Sequence, residues 1–143
     1  MSITVETLVG AAIVPVMPDL ARLRIEVFRE WPYLYDGDSA YEQEFLEVYA
    51  RSASAAIVVA RDGARVIGAS TCLPLRDEMQ AIRAPFEQRG LCPDMFFYFG
   101  ESVLLGAYRG QGLGVRFFAQ RERHALASST ADFATFCSGR RPA

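Results

Sequence analysis

Three glycines at alternate positions, Gly110, Gly112 and Gly114, separate a strand-like run from a helical one. Before them, Met95 to Leu105 reads Met-Phe-Phe-Tyr-Phe-Gly-Glu-Ser-Val-Leu-Leu, which predicts a long strand. After them, Gly112 to Ala127 carries Leu113, Phe117, Phe118 and Ala125 on one broad apolar arc, with Arg116, Gln120 and Arg123 elsewhere. A strand feeding a helix through glycines confines the chain to folds in which sheet and helix pack on each other. The same passage outlines a ligand site. Glycine lets the backbone approach a ligand closely. The first N–H groups of a helix lack internal partners, and their dipoles favour an anion such as pyrophosphate. Arg109 adds a fixed positive charge at that mouth. No Lys-Ser/Thr follows the glycines, and their spacing does not match GxGxxG, so neither a Walker loop nor a dinucleotide fingerprint is present. The bland alternative is a glycine-rich turn that binds nothing.

The rest of the chain contains no internal repeat and no low-complexity linker, so residues 1–143 are read as one domain. Ile3 to Thr7 alternate apolar and polar as a first strand does. Pro18 and Asp19 suit a first helical turn, and Leu20, Leu23, Val27 and Phe28 form its apolar stripe, with Arg22, Glu26 and Arg29 on the other side. Trp31 to Asp38 is a loop, broken by Pro32 and by Asp36-Gly37. Ser39 and Glu42 read as a capping box, followed by Tyr41, Phe45, Val48 and Tyr49 along a second helix. Ala55 to Ala60 is continuously apolar, as in a strand buried on both faces. Asp62-Gly63 predicts a hairpin to a strand over Val66 to Thr71. Arg76 to Gly90 reads as a helix interrupted at Pro85 and capped by Gly90. Ala131 to Cys137 is the last predicted strand. The fold class is therefore α/β (α+β), with helices early, then a hairpin, then strand, loop, helix and strand.

Composition narrows the partners. The net charge of −2 gives no basic excess to neutralise a phosphate backbone, so nucleic acid is not expected as a partner. Every basic residue is Arg, which excludes a Lys nucleophile. Cys72, Cys92 and Cys137 form no CxxC pair or zinc pattern, and no metal is expected; reduced, buried thiols in a cytoplasmic protein are the simple reading. Met1 to Glu6 lacks the basic start of a secretory signal. No apolar run approaches the ~20 residues that cross a bilayer, so no membrane partner is expected.

Arg109-x-x-Gly112-x-Gly114 resembles the Arg/Gln-x-x-Gly-x-Gly/Ala signature of the GNAT superfamily of N-acetyltransferases. The preceding Phe99 to Leu105 also looks like that family's fourth strand, and the early helix pair, hairpin and glycine-rich helix follow in the family's order. The likeness is strong from Phe96 to His124 and rests on element order before that. It implies a mixed, mostly antiparallel sheet flanked by helices, and an acetyl-CoA-dependent N-acyltransferase acting on a small amine. It implies that the backbone of Val103, Leu104 and Leu105 binds the pantetheine arm where the fourth strand bulges and splays. It implies that the amides of Arg109, Gly110, Gln111, Gly112, Leu113 and Gly114 wrap the pyrophosphate.

Glu101 is the candidate catalytic residue, an ionisable group in an apolar, aromatic strand. An amine near pKa ~10.4 must lose a proton before it attacks a thioester, and desolvation raises a carboxylate from its free value near ~4.3 towards a useful base. The competing reading is a structural ion pair with an Arg such as Arg109 or Arg65. The family's general acid, often a Tyr after the fifth strand, has no counterpart, since no Tyr follows Tyr108. Tyr33, Tyr35 and Asp36 are candidates to receive a cationic amine, against the plainer reading of aromatics plugging the core. His124 reads as a surface residue near a helix C-terminus, and Cys137 as a core thiol. The family fold continues with another helix and two strands, which the sequence lacks. An open strand edge results: one reading is a homodimer in which a second copy covers it, the other a truncated form with weakened acceptor binding and activity. The alternative function is an acyl-CoA-binding or regulatory domain without catalysis.

Overall fold

The computed structural model describes residues 3–29 and 39–136, with the side chains of Ser39 and Tyr41 excepted. The loop carrying Tyr33, Tyr35 and Asp36, and the residue Cys137, lie outside this range. Five strands form one sheet in the order in which they occur: β1 (Ile3–Val9), β2 (Ala56–Asp62), β3 (Arg65–Pro74), β4 (Phe96–Leu104) and β5 (Phe133–Thr135). Each of the first four runs antiparallel to its neighbour, and β5 lies parallel to β4. The helices are α1 (Met17–Phe28), α2 (Ser39–Arg51), α3 (Gln80–Gln88) and α4 (Leu113–Ser128). The α+β class expected from the sequence is the class observed. None of the described helices is long and apolar enough to cross a membrane.

The two central strands explain the continuous apolar runs. Ala56 to Ala60 and Val66 to Pro74 are buried because helices cover both faces of the sheet. Neighbouring residues on β3 separate the layers, since side chains alternate along a strand. Thr71 faces Tyr49 of α2, while Cys72 packs with Phe97, Phe99 and Ala125, the last on α4. Helices α1 and α2 thus occupy one face and α4 the other. Leu20, Leu23, Phe45, Val48 and Tyr49 anchor the first layer, and Leu113 and Phe117 anchor the second.

Several local expectations shift. The β2–β3 hairpin turns on Gly63 and Ala64, because Asp62 and Arg65 already pair; Gly63, at φ 62°, takes the left-handed position. Pro85 sits inside α3 without interrupting it, since a short helix tolerates one missing N–H bond when its outer side meets water. Gly90, at φ 74°, ends that helix, with Leu91 N–H donating to Phe86 O at 3.0 Å, as in a Schellman cap. A 3-10 segment over Gly10–Val16, which no sequence pattern marked, carries the chain from β1 into α1.

Candidate functional site

Strand β4 carries one residue too many for its partner. Ser102 pairs with Ser70, yet Phe99 pairs with Cys72, so Gly100 and Glu101 together stand opposite Thr71. This is a β-bulge, a device that bends a strand and re-aims its side chains. Three bonds hold it. Glu101 N–H donates to Thr71 Oγ1 at 2.9 Å, the Tyr49 hydroxyl donates to the same oxygen at 3.0 Å, and Arg121 donates to Thr71 O at 3.4 Å. Gly100 is required here: a Cβ would stand 2.5 Å from Thr71 Oγ1 and 2.6 Å from the Tyr49 hydroxyl.

The other edge of β4 opens at the same place. Strand β5 pairs only with Phe96, Phe97 and Tyr98. Beyond Tyr98, no strand among the described residues lies against that edge. On the inner edge, Leu104 and Val103 pair with Gly68 and Ala69, and Leu105 N–H donates to Ile67 O at 3.0 Å. Val103 and Leu104 therefore end a strand, with Leu105 just past it, bound on one side to β3. The open edge leads through a 3-10 turn, Gly106–Tyr108, to α4. Gly110 and Gly112 both adopt left-handed conformations, at φ 80° and 79°. The first internal bond of α4 is Arg116 N–H to Gly112 O, at 3.2 Å, so the amides of Leu113, Gly114 and Val115 precede the internal ladder. No side chain caps this end. A Cβ on Gly110, Gly112 or Gly114 would meet nothing within 4 Å, which leaves room for a ligand against the backbone. Arg109 folds back towards β4, donating to Leu104 O at 3.2 Å, and Gln111 lies exposed in the turn. These positions fit an anion at the helix start and an extended amide-bearing arm along the strand edge.

Glu101 points to the face of α1 and α2, and its side chain is 27% exposed. Its ionic partner is neither Arg109 nor Arg65 but Arg24, on α1. Arg24 is 2% exposed, forms a bidentate pair with Glu42 of α2 at 2.6 and 3.1 Å, and lies 3.9 Å from the centroid of the Phe45 ring. Glu42 is thus a buried counterion of Arg24. The sequence did hold a signal for Arg24: it falls one turn from both Leu20 and Phe28, inside the apolar stripe.

Beside this pair lies a recess of about 30 Å³, walled by Phe45, Tyr49, Met79 and Tyr98 and bearing two carboxylates, Glu101 and Glu78. Glu78 follows the 3-10 turn Leu75–Asp77 and is buried. Burial pushes its carboxyl above the ordinary range; the Met79 amide, donating at 2.9 Å, together with Arg24, Tyr49 and Arg83, pulls it partly back. Nothing in the local sequence marked Glu78, because its meaning comes from which strands and helices surround it.

The remaining candidates are placed plainly. The His124 Nε2 lies 2.7 Å from Ser54 O and its ring packs edge-on to Phe97, so it is half-buried rather than on the surface. The Tyr108 hydroxyl donates to Asp62 at 2.6 Å, closing the hairpin end over the glycine turn. Burial pushes the Cys72 thiol up to about 12. Among the described residues no three His, Cys, Asp or Glu side chains converge as metal ligands do.

The sequence matches no protein-family profile and no curated protein. Solved structures do match. An aminoglycoside N-acetyltransferase, AAC(6')-Iy in complex with CoA, superposes with a TM-score of 0.65 at 12% identity, over 96% of this chain and 78% of the other. A ribosomal-protein-alanine N-acetyltransferase from Brucella melitensis biovar Abortus 2308 gives 0.60 at 14% identity, over 99% and 83%. A GNAT family acetyltransferase from Staphylococcus aureus gives 0.60 at 14% identity, over 98% and 89%. The bulged fourth strand, the open edge beside it and the glycine-led helix accordingly sit in a chain that has the fold of the GNAT acetyltransferases.

Proposed function

We propose that this protein transfers the acetyl group of acetyl-CoA to a primary amine by direct attack in a ternary complex. One observation carries the reading: the open edge of β4 begins at the bulge by Glu101 and leads, through the turn Gly106–Tyr108, to the uncapped amides at the start of α4. An acetyl-CoA laid along it would bring its pyrophosphate to the amides of Gly110 to Gly114. Its pantetheine amides would meet the backbone of Val103, Leu104 and Leu105, and its thioester would reach the bulge. There a backbone N–H on the open edge of the strand would stabilise the oxyanion that forms when nitrogen adds to the carbonyl. Glu101 stands at the point of attack as the carboxylate that receives the amine. A fold match to an acetyltransferase in complex with CoA supports the co-substrate, and a match to one in complex with sisomicin supports a small cationic acceptor. Tyr33, Tyr35 and Asp36 retain their proposed place on the acceptor side.

The direct test supplies acetyl-CoA and a panel of primary amines, and follows both thiol release and acetylated product by mass spectrometry. Release of CoA in step with one acetylated amine is the expected result. Thiol release without acetylated amine, or none at all, rejects transfer.

A further inference from the structure

The recess beside the bulge contains two carboxylates, and they are not equivalent. Glu101 is tied to Arg24, whose guanidinium also serves Glu42. Such a pair fixes a carboxylate in place and occupies its lone pairs. Glu78 lines the same recess from the end of the 3-10 turn Leu75–Asp77, at 5% exposure. The walls between them are rings: Phe45, Tyr49 and Tyr98. Aromatic rings and carboxylates together can receive a cation, and the Arg24 guanidinium already takes one face of the Phe45 ring. A recess of about 30 Å³ suits one small ammonium group on a thin stem.

We infer that Glu78 takes the proton from the acceptor ammonium while Glu101, fixed by Arg24, anchors its charge, so that the recess selects a terminal, unbranched aminomethyl group. The inference rests on the acetyl-transfer reading and adds to it a proton acceptor and an acceptor shape. The groups facing Glu78 are Arg24 from α1, Tyr49 from α2, Arg83 from α3, the Met79 amide beside it, and Glu101 and Tyr98 from β4. Burial is the largest influence on its carboxyl and raises it, which brings a carboxylate closer to the proton affinity a general base needs. An arriving ammonium favours the ionised form of Glu78, so the base is set by the substrate itself.

The step balances as follows. The R–NH3+ group gives one proton to the Glu78 carboxylate. The nitrogen lone pair of R–NH2 attacks the acetyl carbonyl, a C–N bond forms and the C–S bond breaks. The second nitrogen proton passes to the departing thiolate, and Glu78 returns its proton to solvent. The products are R–NH–acetyl, CoA thiol and one proton.

The test compares wild type with Glu78→Gln, Glu78→Asp and Glu101→Gln, using n-propylamine as the acceptor probe across acidic to alkaline pH. Glu78→Gln is expected to lower kcat by about 100-fold or more and to remove the acid limb of the kcat profile. Glu78→Asp, which keeps the charge one methylene short, recovers part of kcat and the limb. Glu101→Gln raises KM and keeps the limb. Free CoA raises Tm alike in all four proteins. A Glu78→Gln protein with unchanged kcat and an unchanged acid limb overturns the inference and leaves acetyl transfer standing. A wild type that neither acetylates amines nor gains Tm with CoA overturns both.

Discussion

Arg24 places a full charge within the apolar stripe of its helix, and two carboxylates on different elements hold it there. A buried pair contributes little compared with an apolar replacement of the whole, but breaking it by removing one partner leaves an uncompensated charge. Arg24→Met should therefore cost about 3–5 kcal/mol in urea unfolding, and adding both Glu42→Leu and Glu101→Gln should restore most of it. Glu78 makes the opposite kind of contribution. Its carboxyl is raised in the folded state, so the fold binds that proton more tightly than the unfolded chain does. The stabilisation is complete below the unfolded value near ~4.3 and is lost as pH rises through the folded one. Glu78→Gln should accordingly raise Tm at neutral and alkaline pH, and the gain should vanish in acid. Retention of the gain at acid pH would assign it to packing instead. Arg24 was legible as an irregularity in a helical stripe, whereas Glu78 was not, because a lone Glu in a polar stretch looks like any solvated residue.

At the scale of elements, two features make the site and each depends on glycine for a different reason. In β4, Gly100 is needed for lack of space: any Cβ would press on the Thr71 and Tyr49 oxygens that fix the bulge. Gly100→Ala should cost about 1–3 kcal/mol, as overpacking does, and should move the Glu101 amide resonance in NMR spectra. Ahead of α4, Gly112 is needed for its backbone angle, since nothing occupies the space where a side chain would go. Gly112→Ala should cost about 1–2 kcal/mol, the penalty of a left-handed conformation for an L-residue. Gly114→Ala, one residue into the helix with open space around it, should leave unfolding unchanged or slightly harder, and it serves as the control. The glycine pattern announced the helix start in sequence because its cause is local sterics. The bulge was expected only through family likeness, since a register shift is a relation between two strands and neither one encodes it alone.

For the whole molecule, the sheet order follows the chain order, so each strand lies beside the one made just before it. Strands β4 and β5 part after three paired residues, and the proposed cofactor site lies in the gap between them. A ligand that binds only the native state stabilises it by mass action, and at 100 times its Kd the gain is about 2.7 kcal/mol. Acetyl-CoA and free CoA should each raise Tm in proportion to that gain, because both carry the pyrophosphate and pantetheine that this gap would hold. An unchanged Tm with either would mean that the gap is a structural seam.

What the sequence alone determined is what depends on near neighbours. Periodicity marked α1, α2 and α4, an apolar run marked β2, and three glycines marked the anion-seeking helix start. Each follows from steric and hydrophobic effects acting within a few residues. Only the tertiary structure decided that Glu42 and Glu101 share Arg24, that Gly100 and Glu101 stand together opposite Thr71, and that Glu78 turns into the same recess as Glu101. Those relations join residues far apart in the chain. They arise because buried charges must find partners and strands must find a register, and only the packed molecule brings these groups together.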